Sequence, residues 1–298
     1  MEYHLLGKSS LRISRVGFGC MSLGNDDKEN DRLIGIAVDK GINLFDTADL
    51  YDHGQNEMSV GKALKQKRGE VVLATKVGNQ WRPDGSGWDW NPSREYILKA
   101  VEDSLRRLQT DYIDLYQLHG GTIEDTIDDT IAAFEILKQQ GKIRYYGISS
   151  IRPNVIREYV QRAGITSVMM QYSLLDRRPE ESCLPLLQQH EIGVLARGSV
   201  AKGLLAGKAP GAYLDHDATA VHRAAEAINN HSGSERLPAQ TAIRYALHHP
   251  AITSAIVGIR TLQQLEEAAE LTATPPLSEK DIAYLQAAAP ALQYDQHR

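Results

Sequence analysis

Cysteine is nearly absent from this chain, with only Cys20 and Cys183 among 298 residues. The two have no metal-ligand spacing and make no disulfide framework, which fits a reducing compartment. No apolar run approaches the roughly 18 residues needed to span a bilayer. The opening MEYHLLGKSSLRIS lacks the charged leader, apolar centre and cleavage site of a signal peptide. Blocks of positive charge are missing too. The 33 Lys and Arg are interspersed with 38 Asp and Glu, for a net charge of −5, and nothing could track a phosphate backbone. Neither nucleic acid nor membrane is expected as a partner, and a cytoplasmic location is. There is also no Gly-rich dinucleotide fingerprint of the Rossmann type.

What is present is a composition, 42% hydrophobic and 24% charged, that supports a substantial globular core. Eight short runs rich in apolar residues recur along it: ISRVGFG (13–19), GINLFDT (41–47), VVLATKV (71–77), YIDLYQLH (112–119), IRYYGIS (143–149), TSVMMQY (166–172), IGVLARG (192–198) and TSAIVGI (253–259). Most are nearly continuous, as expected of parallel strands covered on both faces. Helical rhythm fills the intervals. In TIEDTIDDTIAAFEILKQQGK a stripe of Ile123, Ile127, Ile131, Phe134 and Leu137 is followed by Gly141 as a stop signal. PSREYILKAVEDSLRRL and RPNVIREYVQRAG each carry a proline near the start.

Strand then helix, eight times over, predicts an α/β fold, a closed (β/α)8 TIM barrel. YHLLGKSSLRIS reads as a hairpin around Gly7-Lys8-Ser9-Ser10 that plugs the barrel's N-terminal end. No linker cuts the chain, so residues 1–298 are expected to form one domain. Two connections are long, 78–93, which holds all three tryptophans, and 204–238. Both follow strands and so belong to the C-terminal face, where barrels build active sites. The tryptophans suit either a loop anchor or an aromatic substrate wall.

Asp46, Lys76 and His119 fall at or near the C-terminal ends of three successive strands and should converge. Tyr51 follows on a loop able to fold back over the same mouth. A buried lysine and aspartate must pair or shed their charge, and an ammonium beside a phenol stabilises its ionised form. Such a set lacks a nucleophile but suits protonation of an oxygen receiving electrons, with tyrosine as the acid and His119 orienting the oxygen. Asp49, Asp52 and His53 share one loop without the rigid spacing of zinc motifs, so no metal is expected.

These residues resemble the aldo-keto reductases, which place an Asp, Tyr, Lys, His tetrad in a barrel with NADPH. The likeness runs in order through LGKSSLRISRVGFGCM, GINLFDTADLYDHGQNEMSVGKAL, VVLATKVG, NPSREYILKAVEDSLRRLQTDYIDLYQLH, GKIRYYGIS, MQYSLLDR, GVLARGSVAKGLLAGK and SAIVGIRTLQQLEEA. It implies a tetrad of Asp46, Tyr51, Lys76 and His119, with Tyr51 the proton donor. It further implies Ser149, Ser150 and Gln171 at the nicotinamide carboxamide, and Arg197 by the ring. Ser199, Lys202 and Gly203 would line the pyrophosphate, while Gly258, Arg260, Thr261, Gln264 and Glu267 would receive the adenosine end. Gly19, Cys20 and Met21, with Asp46, would also border the cofactor. Arg260 would meet a 2′-phosphate, and the Thr261 to Gln264 spacing also suits a helix capping box. Three positions depart from many relatives: Ser150 and Ala268, where Asn is common, and Arg197, where an aromatic residue is common. The implied activity is NADPH-dependent reduction of a small aldehyde or ketone. The alternative is a cofactor-binding, redox-sensing or regulatory barrel with little turnover, and a third reading is a metal-assisted barrel hydrolase.

Overall fold

The structure, a computed structural model, describes residues 1–298. Eight parallel strands close into a barrel: β3 (Val16–Gly19), β4 (Leu44–Asp46), β5 (Val72–Val77), β8 (Ile113–Leu118), β9 (Ile143–Ser149), β10 (Ser167–Gln171), β11 (Gly193–Arg197) and β12 (Ile252–Gly258). Each pairs with its neighbour in chain order, and β12 returns to β3. The helices that follow these strands are α1 (Asp27–Asp39), α2 (Gln55–Leu64), α3 (Arg94–Leu108), α4 (Ile127–Gln139), α5 (Pro153–Arg162), α6 (Cys183–Gln189), α7 (Ala218–Asn230), α8 (Pro238–His248) and, after β12, α9 (Leu262–Ala269), with α10 (Glu279–Ala288) at the end. Their starts follow local chemistry: Ser93 caps α3 by accepting from the Tyr96 N–H, and Pro153 opens α5.

The hairpin at the N-terminus is β1 (Tyr3–Leu5) paired antiparallel with β2 (Arg12–Ser14). Leu6, Leu11 and Ile13 fill the barrel's lower end against Leu44, Val72, Ala74, Leu115, Met169, Leu195 and Ile256. Gly7, at φ +54°, lies so close to Gly193 N and the carbonyls of Thr166 and Glu191 that any side chain would collide.

Strand parity then carries the inside of the barrel upward. Side chains alternate with period two, so the face that holds Leu44, Ala74, Leu115, Met169 and Leu195 next presents Asp46, Lys76, Gln117, Gln171 and Arg197. His119, two beyond Gln117, continues the same row. The opposite parity feeds the outer core, as with Phe45, Leu73 and Tyr116.

Some expected boundaries shift. The run 13–19 is not one strand, because at Arg15 it passes from hairpin to barrel. The Arg15 guanidinium donates to the carbonyls of Leu247, Ile252 and Thr253. Ile123 lies outside α4 and is exposed, so that stripe starts at Ile127. Connection 78–93 contains an antiparallel hairpin, β6 (Asn79–Trp81) and β7 (Trp88–Trp90), and 204–238 contains α7.

Candidate active site

At the C-terminal mouth, Lys76 is buried at 1% exposure. Its Nζ donates to Asp46 Oδ2 at 2.7 Å, to the Thr47 carbonyl at 2.7 Å and to Tyr51 Oη at 3.3 Å. Three donors thus meet three acceptors, and a buried ammonium is tolerable only when it is so paired. Burial drives the Asp46 carboxyl upward, with Lys76 pulling the other way. Burial alone would lower Lys76, but Asp46 and Tyr51 outweigh it and leave its pKa above the ordinary value. The lysine stays charged.

His119 emerges directly after β8, its N–H donating to the Val77 carbonyl at 2.7 Å. Its ring meets Tyr51 edge-on with centroids 5.8 Å apart. Burial, then the charges of Lys76 and Arg197, lowers its pKa to about 3, so the imidazole is neutral near pH 7. Its Nδ1 is buried with no partner.

The other positions anticipated for a cofactor fall along one rim of the same mouth. Arg197 Nη1 donates to Gln171 Oε1 at 3.0 Å, and Gln171 Nε2 donates to Asp176 Oδ2 at 2.8 Å. Ser150 Oγ accepts from the Arg152 N–H, and Ser149 is half-buried. Ser199 is buried with its hydroxyl unpartnered, while Lys202 is exposed in a turn at φ 57° beside Gly203. Gly258 is exposed and has Ser22 packed where a side chain would stand. Thr261 caps α9 by accepting from Gln264 N, but the Gln264 carboxamide accepts from Arg260 N, one residue before the position a capping box uses. Arg260 is exposed, and Glu267 is bonded by Gln263. Of Gly19, Cys20 and Met21, only Met21 is exposed. The Cys20 thiol faces the Phe18 carbonyl, and burial drives its pKa upward.

Partners the sequence did not suggest are Gln117, whose Nε2 lies 3.5 Å from Asp46 Oδ1, and Asp176, which braces Gln171. Gln117 carries a signal, since it shares the parity of Leu115 and His119. Asp49 is buried, and burial together with nearby Glu57 raises its pKa well above the usual carboxylate range. Asp52 and His53 are exposed, and no three His, Cys, Asp or Glu side chains gather in a metal-binding cluster. The tryptophans divide by role. Trp90 packs over Gly78 and Gly120 and donates to Asp125 at 3.0 Å, anchoring its loop. Trp81 stacks on His53 with centroids 3.6 Å apart, and Trp88 is exposed.

A charged lysine joining a carboxylate and a phenol at the top of a barrel is a proton-handling arrangement, and known proteins share its scaffold. The chain is 48% identical to the uncharacterized oxidoreductase YqkF of Bacillus subtilis (strain 168), over the full length of both. It is 34% identical to the aldo-keto reductase YhdN of the same strain, over 91% of this chain and 89% of that one. The holo form of aldo-keto reductase AKR11C1 from Bacillus halodurans superposes with a TM-score of 0.93 at 48% identity, covering 100% of this chain and 99% of that one. The model of the aldo/keto reductase family matches residues 15–290. By barrel, by site and by these likenesses, the chain belongs to the aldo/keto reductase family.

Proposed function

We propose that this oxidoreductase, acting as one domain over residues 1–298, reduces the carbonyl of a small aldehyde or ketone with NADPH, Tyr51 donating the proton. The observation that carries this reading is the Lys76 ammonium shared between Asp46 and Tyr51. The ammonium donates to the phenol oxygen from which the proton would leave, and Asp46 keeps that ammonium in place. Neutral His119 suits a second hydrogen bond to the carbonyl oxygen. Its Nδ1 is buried and unpartnered, and an unpaired lone pair is cheaper to bury than an unpaired N–H. The tautomer with hydrogen on Nε2 follows, aimed to donate rather than accept.

The residues fit a nicotinamide dinucleotide. The Ser199 hydroxyl is buried without a partner near a left-handed turn at Lys202, an arrangement suited to meet a phosphate oxygen. Gln171, braced by Arg197 and Asp176, keeps a free amide hydrogen and a free lone pair for a carboxamide. Arg197 would lie by the ring, and Arg260 would meet a 2′-phosphate. Bound there, the reduced nicotinamide supplies the hydride that goes to the carbonyl carbon.

The test is loss of NADPH absorbance with an activated aromatic aldehyde, wild type beside Tyr51→Phe. Turnover in the variant should fall about 100-fold or more, with NADPH affinity retained. Equal turnover would remove Tyr51 from its role. No consumption by either protein, with NADPH bound to both, would favour a cofactor-sensing barrel instead.

A further inference from the structure

Tyr51 is followed by three residues with left-handed backbone: Asp52 at φ 47°, His53 at φ 51° and Gly54 at φ 84°. Only the last is glycine. Consecutive non-glycine residues in this region are strained, because Cβ crowds the next carbonyl oxygen. Such backbone persists only where its surroundings hold it. Gly54 rests on the Arg107 side chain, itself tied to buried Glu57, and this forms the floor of the turn. A second hold comes from an aromatic side chain. Trp81 donates its indole N–H to the Leu50 carbonyl at 3.2 Å, and its ring stacks on His53 with planes 23° apart. The residue before Tyr51 and the second residue after it are therefore bound to one indole. The phenol they bracket lies 3.3 Å from Lys76, at the outer limit of hydrogen bonding, so a small movement of the turn breaks that contact.

We propose that Trp81 is a positioning residue for Tyr51, acting as a clamp that holds the strained turn and keeps the phenol in reach of Lys76. The inference rests on Tyr51 being the proton donor. A wall role, with the indole bordering bound substrate, is the competing account. The two accounts separate kinetically. A wall discriminates among substrates by size and moves KM, whereas a clamp governs turnover of every substrate, the smallest included.

The experiment compares Trp81→Leu, Trp81→Phe, His53→Ala, Tyr51→Phe and the Tyr51→Phe/Trp81→Leu double variant, each with acetaldehyde and with an aromatic aldehyde. Trp81→Leu should lower kcat about tenfold or more on both aldehydes, with NADPH affinity unchanged. Trp81→Phe, which keeps a stacking ring, should recover much of the loss. His53→Ala removes only an exposed imidazole and should lower kcat in the same direction, which keeps the test intact if Trp81→Leu does not fold. In the Tyr51→Phe background, Trp81→Leu should cost nothing further, since both act on one proton transfer. A change confined to KM for the aromatic aldehyde would overturn the clamp in favour of a wall. Multiplicative losses in the double variant would also overturn it. Wild-type turnover in Tyr51→Phe would instead defeat the donor assignment on which the clamp depends.

Discussion

At the scale of single residues, the most exacting demand on this fold is to hide ionisable groups. His119 shows what that costs and when. Its folded pKa of about 3 lies below the ordinary 6.5, so above pH 6.5 both folded and unfolded chains carry it neutral. As pH falls from 6.5 toward 3 only the unfolded chain takes up the proton, and stability drops by up to about 1.4 kcal/mol per pH unit. Between pH 7.5 and 5 this group should therefore remove about 2 kcal/mol. Urea unfolding of wild type and His119→Gln at those two pH values checks it. The variant should lose about that much less on acidification, and identical losses would show that His119 titrates freely in the folded state. Asp46, Lys76 and His119 were legible in the sequence because each ends an apolar run, where a polar residue is conspicuous. Gln117 was less so, since a glutamine within YIDLYQLH draws no notice until parity places it on the inner row. Asp176 gave no signal, because its contact with Gln171 comes from a loop folding back and not from any periodic pattern.

At the scale of elements, the barrel divides stability from chemistry between its two ends. The N-terminal hairpin packs Leu6, fully buried, into the lower end of the barrel, on the layers beneath Lys76. Leu6→Ala should cost about 2–5 kcal/mol through lost burial and a cavity the closed sheet cannot collapse. Its turnover at saturating aldehyde should match wild type. A denaturation midpoint unchanged from wild type, or a large fall in kcat, would contradict that division. The hairpin was readable from its glycine turn between extended pieces, and the eight strands from their apolar runs. The β6 and β7 pair was not. Its composition of Trp, Asp, Gly and Asn resembles any polar loop, and its order comes from tertiary holds such as Trp90 over Gly78 and Gly120. The split at Arg15 was equally hidden, because it depends on carbonyls supplied more than two hundred residues later.

At the scale of the whole molecule, the charge balance sets how a polyanionic cofactor must be held. The chain carries a net −5, so its overall field repels a dinucleotide phosphate, and attraction has to come from cations placed locally. Along the rim these are Arg197, Lys202 and Arg260, and the latter two are exposed. An exposed guanidinium contributes little to fold stability, yet it can form a bidentate pair with a phosphate that NADPH has and NADH lacks. Arg260→Ala should therefore leave the melting temperature of the free protein unchanged while weakening NADPH about tenfold or more, near 1.4 kcal/mol. NADH affinity should shift about twofold at most, because the lost partner is the 2′-phosphate alone. If Arg260 reads the 2′-phosphate as proposed, any margin of NADPH over NADH in the wild type should also shrink as salt rises, since such a contact would be solvent-facing and screened. Titration of both cofactors against both proteins at two salt concentrations decides the matter. If NADPH and NADH lose affinity in parallel, Arg260 is reading something common to the two dinucleotides, and discrimination must be assigned to another cation of the rim, with Lys202 the next to replace.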